Sequence, residues 1–148
     1  MTGRDRNRFG SVPKEMHRDE RGWVINPFDH LADPTAVTHC HAFSIEPGCR
    51  RGGHVHEGRD EQVAVLGGAV AIVDMETGHE EMMSPSSDRL LVIPPGVPHV
   101  FENRSGVTAV ALCFSSGPES RPRAALSVAV RSCVMRVRST RSSWSCRL

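Results

Sequence analysis

Between residues 36 and 116 apolar and polar residues alternate in short runs, each closed by glycine, proline, serine or asparagine. In AVTHCHAFSI (36–45) this alternation puts His39, His41, Phe43 and Ile45 on one face of a strand, because side chains two apart point the same way. If Phe43 and Ile45 face a core, the two histidines face it as well. A Val-rich run follows from Gln62 to Leu66, then AVAIVDM (69–75), HEEMM (79–83), RLLVI (89–93), a run from His99 to Glu102, and VTAVALCFS (107–115). Helical periodicity is nearly absent. Many short strands separated by Gly, Pro and Ser turns predict an all-β fold, a jelly-roll barrel over residues 36–116.

The flanks carry a different pattern. Residues 1–35 read as an N-terminal arm with an edge strand: 1–18 is polar, Arg-rich and expected to be mobile at its extreme end. DERGWVINPF (19–28) is a turn followed by a short strand that Pro27 stops, and DHLADPT (29–35) is a loop or one helical turn. Residues 117–148 are rich in Arg and Ser, with Glu119 as the one acid, and predict a disordered or loosely docked tail. Within it ALSVAVRSCVMRVRS has the alternation of one further strand, and a strand swapped within a dimer is a minority reading. A basic tail can bind nucleic acid, but this one has a single aromatic, Trp144, and no stacking series, so no nucleic-acid partner is expected.

At 148 residues the chain is one domain by size. Its net charge of +1 excludes a strong overall pull on polyanions. No run approaches the roughly 18 apolar residues of a membrane span, and the start lacks a leader's apolar stretch, so no membrane partner and a cytoplasmic location are expected. Cys40, Cys49, Cys113, Cys133 and Cys146 are odd in number and lack CxxC spacing, which suggests neither a disulfide framework nor a thiolate zinc site. Cys49 is read as a bystander thiol in the loop ahead of the histidines. Tyrosine does not occur at all.

The chemistry concentrates in GCRRGGHVHEGRDEQVAVLGG, residues 48–68. His54 and His56 sit two apart, so both imidazoles project from one face of a strand. Arg50 to Gly53 reads as a loop that swings the backbone into the hairpin. Glu61 follows across a turn containing Gly58, at the start of the partner strand. In LVIPPGVPHVFEN (91–103) a rigid Pro94-Pro95-Gly96 turn precedes His99, which opens a strand that Asn103 closes.

Taken together these segments resemble the two motifs of the cupin superfamily. The first, G-x5-H-x-H-x4-E-x6-G, is matched at Gly48, His54, His56, Glu61 and Gly68; the second, P-x-G-x2-H-x3-N, at Pro94, Gly96, His99 and Asn103. One position departs: the glycine that usually opens the second motif is Asp88 here, which touches a turn and not a ligand. The resemblance implies a double-stranded β-helix with one metal held by His54, His56, Glu61 and His99. Three imidazoles and a carboxylate suit a divalent Fe, Mn, Ni, Zn or Cu ion and fit Mg or Ca poorly, with the ion's identity left open. The alternative is a hydrogen-bonded cluster in a barrel that has lost its metal.

A second resemblance points to the substrate. The stretch Arg51 to His56, RGGHVH, is similar to the RG-x-H-A-H segment of nucleotide-sugar 3,4-ketoisomerases, and Asp19 to Gly22 gives a D-x-R-G turn like that of sugar-modifying cupins. In that family the paired histidines, here His54 and His56, move protons and are the catalytic candidates, although a histidine held by metal is not a free base. Arg51 and His41 are the candidate substrate-binding residues, because an arginine fork suits phosphate and His41 would line the cavity. Related epimerases use a tyrosine acid, and this chain has none. Three functions stay open: an isomerase or epimerase acting on a small carbohydrate-type or nucleotide-sugar substrate, an Fe(II) dioxygenase, and a non-catalytic small-molecule binding or sensing cupin. A homodimer is expected from the resemblance and from the need to cover barrel edges.

Overall fold

The computed structural model describes residues 7–116 together with the backbone of residues 123–124. Its strands are β1 (Gly10–Pro13), β2 (Met16–Asp19), β3 (Gly22–Ile25), β4 (Val37–Ile45), β5 (Arg50–Val55), β6 (Glu61–Gly67), β7 (Val70–Asp74), β8 (Glu80–Met83), β9 (Arg89–Ile93), β10 (His99–Asn103), β11 (Ala109–Ser116) and β12 (Arg123–Ala124), with a 3-10 turn at Pro34–Ala36. One antiparallel sheet has the order β1-β9-β6-β11-β4 and a second the order β12-β5-β10-β7-β8, while β2 and β3 form a separate hairpin. The facing sheets make the all-β jelly roll that the alternation predicts. Among the described residues no helix is long and apolar enough to cross a membrane.

The core lies between the sheets. Ile45, Val63, Val65, Ile72, Leu91, Ile93 and Phe101 are buried there, contributed by alternate positions of strands from both sides. Burial of side chains this size stabilises by roughly 2 kcal/mol each before conformational entropy is subtracted. Strand β6 is covered on both faces, which explains why its sequence is an apolar run and not a strict alternation. Val63 and Val65 face the interior, whereas Ala64 packs outward with Leu90 and Phe114 beneath Ile25, Phe28 and Leu31 of the N-terminal region. Phe28 meets Phe114 edge-on, with ring centroids 4.8 Å apart.

Two expectations change. The polar stretch read as an arm, with an edge strand only after Asp19, contains β1, which pairs with β9 in register Ser11 to Leu91 and forms an edge of the barrel sheet, while the strand-like run after Asp19 belongs to the separate hairpin. What holds this segment is not an apolar pattern: Phe9 is buried, and Arg8 forms a bidentate pair with Asp74, Nε to Oδ2 and Nη2 to Oδ1 both at 2.6 Å. The second change is at Arg50 to Gly53, which forms the first part of β5 instead of a loop. The strand that ALSVAVRSCVMRVRS suggests lies outside the described residues. Asp88, in place of the motif glycine, needs no left-handed backbone, since every described residue with positive φ is a glycine.

Asp74 links the N-terminal strap to the β7–β8 turn, where its carboxylate also accepts the backbone N–H groups of Glu76 at 2.9 Å and Thr77 at 3.2 Å. Burial works against its ionisation, but Arg8 and these N–H donors hold its pKa down from 3.8 to about 2. A depressed carboxyl pKa contributes stability that is complete above its unfolded value and is lost as pH falls through the folded one. We therefore expect Asp74→Asn to lower unfolding free energy by about 2 kcal/mol at pH 7, with the deficit shrinking between pH 4 and pH 2 as the wild type loses the same interaction. Urea titrations at these pH values check it, and a pH-independent deficit would refute the linkage.

Candidate functional site

The site begins with an irregularity in β5. In its pairing with β10, His99 lies opposite His54 but Val100 lies opposite Gly52, so Gly53 is an extra residue in the ladder. Gly52 and Gly53 have φ of 91° and 78°, in the region L side chains avoid. A side chain on Gly52 would also sit 3.2 Å from the His99 carbonyl oxygen. The bulge re-aims the strand end that carries His54. His56 follows directly, and its carbonyl accepts the N–H of Gly96 at 2.8 Å, tying the Pro-Pro-Gly turn to the first pair of histidines. Asn103 closes the other end, donating from its side chain to the carbonyls of Ile45 and Val107 at 2.8 Å each, while its own carbonyl accepts from Gly48 at 2.9 Å. Gly48 and Asn103 thus build the frame, and the histidines occupy it.

His54, His56, Glu61 and His99 come together, each offering a ligand atom within 4.8 Å of the others. His54 is half-buried and the other three are buried. The Nδ1 of His99 donates to the Val97 carbonyl at 2.9 Å, which turns Nε2 toward the cluster. That nitrogen lies 3.1 Å from Glu61 Oε2, yet the two are not aligned as a hydrogen bond; His56 Nε2 lies 3.8 Å from Glu61 Oε1. His54 Nε2, both nitrogens of His56, Glu61 Oε2 and His99 Nε2 are buried without a hydrogen-bond partner. Orphaned buried polar atoms are uncommon, and here they share one small volume.

The electrostatics follow from burial and crowding. Burial, followed by the neighbouring His99 and His56, pushes the pKa of His54 down to about 4. Burial also lowers that of His56, against the favourable field of Glu61. At Glu61 burial opposes ionisation, but His99 and the other imidazoles hold the carboxyl below its usual value. Glu61 is therefore a carboxylate at pH 7, beside the neutral imidazoles of His54 and His56.

A cavity of about 380 Å³ opens beside it, lined by His41, Phe43, Arg51, His54, Glu61 and Phe101 among others. His41 and Phe43 stack at 5.8 Å, Phe43 meets Phe101 at 5.1 Å, and Phe101 meets His99 at 5.5 Å, forming an aromatic wall that leads from the mouth to the histidines. His41 stands at the exposed end, 3.1 Å from His39 through their ring nitrogens, and burial of part of its ring lowers its pKa. Arg50 also lines the cavity but pairs with Glu102 at 2.9 Å; Arg51 gives its Nε to the Ser44 carbonyl and forms no ion pair among the described residues. The D-x-R-G turn is not part of this lining. Arg21 folds its guanidinium onto Asp19 at 2.5 Å and closes the β2–β3 hairpin on itself.

One participant went unrecognised in the sequence. Cys113, on β11 opposite His41, is fully buried, and its thiol interacts with Glu61; His41, Glu61 and Cys113 lie within 4.8 Å by their polar atoms. The available signal was the period of two in VTAVALCFS, which puts Cys113 on the same inward face as Ala109 and Ala111. Cys40, Cys49 and Cys113 are all free thiols.

No family model matches the chain, and no curated protein matches it in sequence. Solved structures do resemble it. The dTDP-6-deoxy-D-glucose-3,5-epimerase RmlC from Legionella pneumophila, in complex with dTDP-4-keto-L-rhamnose, superposes with a TM-score of 0.61 at 20% identity, over 80% of this chain and 71% of that one. QdtA, a sugar 3,4-ketoisomerase from Thermoanaerobacterium thermosaccharolyticum in complex with TDP, gives 0.61 at 17%, over 76% and 82%. A 3,4-ketoisomerase from Helicobacter canadensis gives 0.62 at 17%, over 77% and 86%. At these identities the likeness is one of fold: the chain has the all-β cupin jelly roll.

The tautomer and the low proton affinity are directly measurable. In metal-free protein at pH 7, long-range ¹H–¹⁵N spectra should show the His99 Nδ1 proton in its bond to Val97 and His54 neutral. His54 should take up its proton only near pH 4. Because the unfolded chain takes that proton near 6.5, this residue's burial costs stability progressively as pH falls from 6.5 toward 4. A titration of His54 at the ordinary histidine value would show that the cluster is open to water.

Proposed function

We propose that the chain is an isomerase or epimerase acting on a nucleotide-linked keto sugar, with one divalent transition metal held by His54, His56, Glu61 and His99. The observation that carries this is the convergence of orphaned imidazole nitrogens and a carboxylate oxygen at the inner end of a cavity whose mouth presents Arg51. The donors fit a metal: His99 is anchored through Nδ1 so that Nε2 faces the cluster 3.1 Å from a Glu61 oxygen, and both atoms are buried without a hydrogen-bond partner. Such a set suits Fe, Mn, Ni, Zn or Cu. When bound, an ion of this kind supplies Lewis acidity toward a substrate carbonyl.

The remaining work falls to the chain's own side chains. A metal-held imidazole has no free lone pair, so under this reading His54 and His56 are ligands, and His41 is the group that accepts the sugar's proton. It lines the same cavity, lies outside the four-donor set, is hydrogen-bonded to the half-buried His39, and is itself exposed enough to pass a proton outward. An imidazole in this place also answers the absence of tyrosine. Arg51, without a carboxylate partner among the described residues, offers its fork to diphosphate oxygens. Phe43 and Phe101 provide the apolar wall for a sugar ring. The TDP and dTDP-linked sugars bound in the structures described above support this choice of substrate class.

Two measurements test the reading. Elemental analysis of protein purified without chelator should find close to one transition-metal ion per chain, lost in His56→Ala and retained in His41→Ala. With a TDP-linked 4-keto-6-deoxy sugar, product analysis should show a positional or configurational isomer, and His41→Ala should slow its formation by roughly 10²-fold or more. Full turnover by metal-free protein would remove the metal from the mechanism. Oxygen consumption without isomer formation would replace the isomerase by an oxygenase.

A further inference from the structure

Arg59 sits in the connection between His56 and Glu61, where the sequence reads as an ordinary charged turn. In the structure it is only 5% exposed. Its Nη1 is buried without a hydrogen-bond partner, and no described carboxylate forms an ion pair with its guanidinium. Its charge acts on two imidazoles at once, opposing protonation of both His41 and His56. Glu61, two residues away, is turned toward His99 and His56 instead.

This is an unusual state for an arginine. The guanidinium does not give up its proton, so it cannot relieve its burial by becoming neutral, and a buried cation without a counter-charge destabilises the fold that contains it. Neighbouring neutral imidazoles do not compensate it. The arrangement is one half of an ion pair, held in a desolvated place where an incoming anion would meet a strong, directional donor. Arg59 does not line the cavity that Arg51 borders.

We propose that Arg59 is an anion-binding residue that holds a carboxylate or phosphate oxygen of a ligand lying against His56. The proposal deepens the substrate reading above, on which it rests for the identity of the molecule that bears the anion; the anion position itself can be tested without turnover. The full chain is melted with increasing inorganic phosphate or acetate against chloride of equal ionic strength, as purified and again after metal removal. One of the two anions should raise the midpoint saturably, by about 3 °C at ten times its Kd, and the rise should survive metal removal. Which anion does so separates a phosphate-bearing from a carboxylate-bearing ligand.

Arg59→Gln should abolish the rise, and without anion it should melt no lower than the wild type, because it removes an unpaired buried charge. Arg59→Lys, which keeps the charge but not the fork, should weaken anion binding about tenfold and serves if the glutamine variant does not fold. Arg51→Gln should leave the rise in place. The proposal is overturned if neither anion shifts the midpoint, if the shift is lost with the metal, or if Arg59→Gln retains it while melting several degrees lower. Turnover of a nucleotide-linked sugar without any Arg59-dependent anion effect would reject this inference and leave the isomerase standing. An Arg59-dependent effect without turnover would do the reverse.

Discussion

Three imidazoles and a carboxylate with orphaned buried atoms, each offering a ligand atom within 4.8 Å of the others, are what the rest of the molecule has to hold in place. Left to themselves the side chains would rotate apart, but each is fixed from behind. His99 is locked by its Nδ1 bond to Val97, His56 by the backbone link to Gly96, and His54 by the bulge that Gly53 introduces opposite β10. Preorganisation of this kind transfers the cost of assembling a charged site into the folding of the frame.

The frame is divided between the sheets in an informative way. The three imidazoles come from β5, its immediate end and β10, all on one sheet, whereas Glu61, His41 and Cys113 come from β6, β4 and β11 on the other. No single sheet carries the cluster. Its distances therefore depend on how the two layers pack, and the apolar core around Val63, Val65, Ile72 and Phe101 sets the spacing. The N-terminal region enters here too, since Ile25, Phe28 and Leu31 cover the outer face of the sheet that carries Glu61.

Much of this was legible in the sequence, for identifiable reasons. Strands from Val37 onward announce themselves because one face is buried and the other is not, so the period of two survives. The four clustered donors were legible because two turns and two strand ends fix their spacing tightly, as the motif positions from Gly48 to Asn103 do. Strand β1 was not, because Gly10–Pro13 shows no alternation and is held by backbone pairing and by Arg8 on a residue some sixty positions away. The bulged half of β5 read as a loop because two adjacent glycines signal a turn more often than a ladder with one extra residue. Cys113 and Arg59 escaped notice for a common reason: their meaning depends on what lies across the barrel or over them, and a linear pattern of residue types carries no record of that.

The charges that remain define how a ligand can be oriented. Arg50 is neutralised by Glu102, and Arg21 by Asp19, so neither has a free charge to offer. Arg51 at the mouth and Arg59, whose charge acts on His56, do not form such pairs among the described residues, and the cavity that Arg51 borders also carries imidazoles, a carboxylate and the aromatic wall. A ligand that answers this arrangement is anionic where it meets arginine and uncharged where it passes Phe43 and Phe101. It must also carry an oxygen able to approach the shared focus of His54, His56 and His99. A sugar joined to a diphosphate meets those demands, and a purely apolar molecule of the same volume does not.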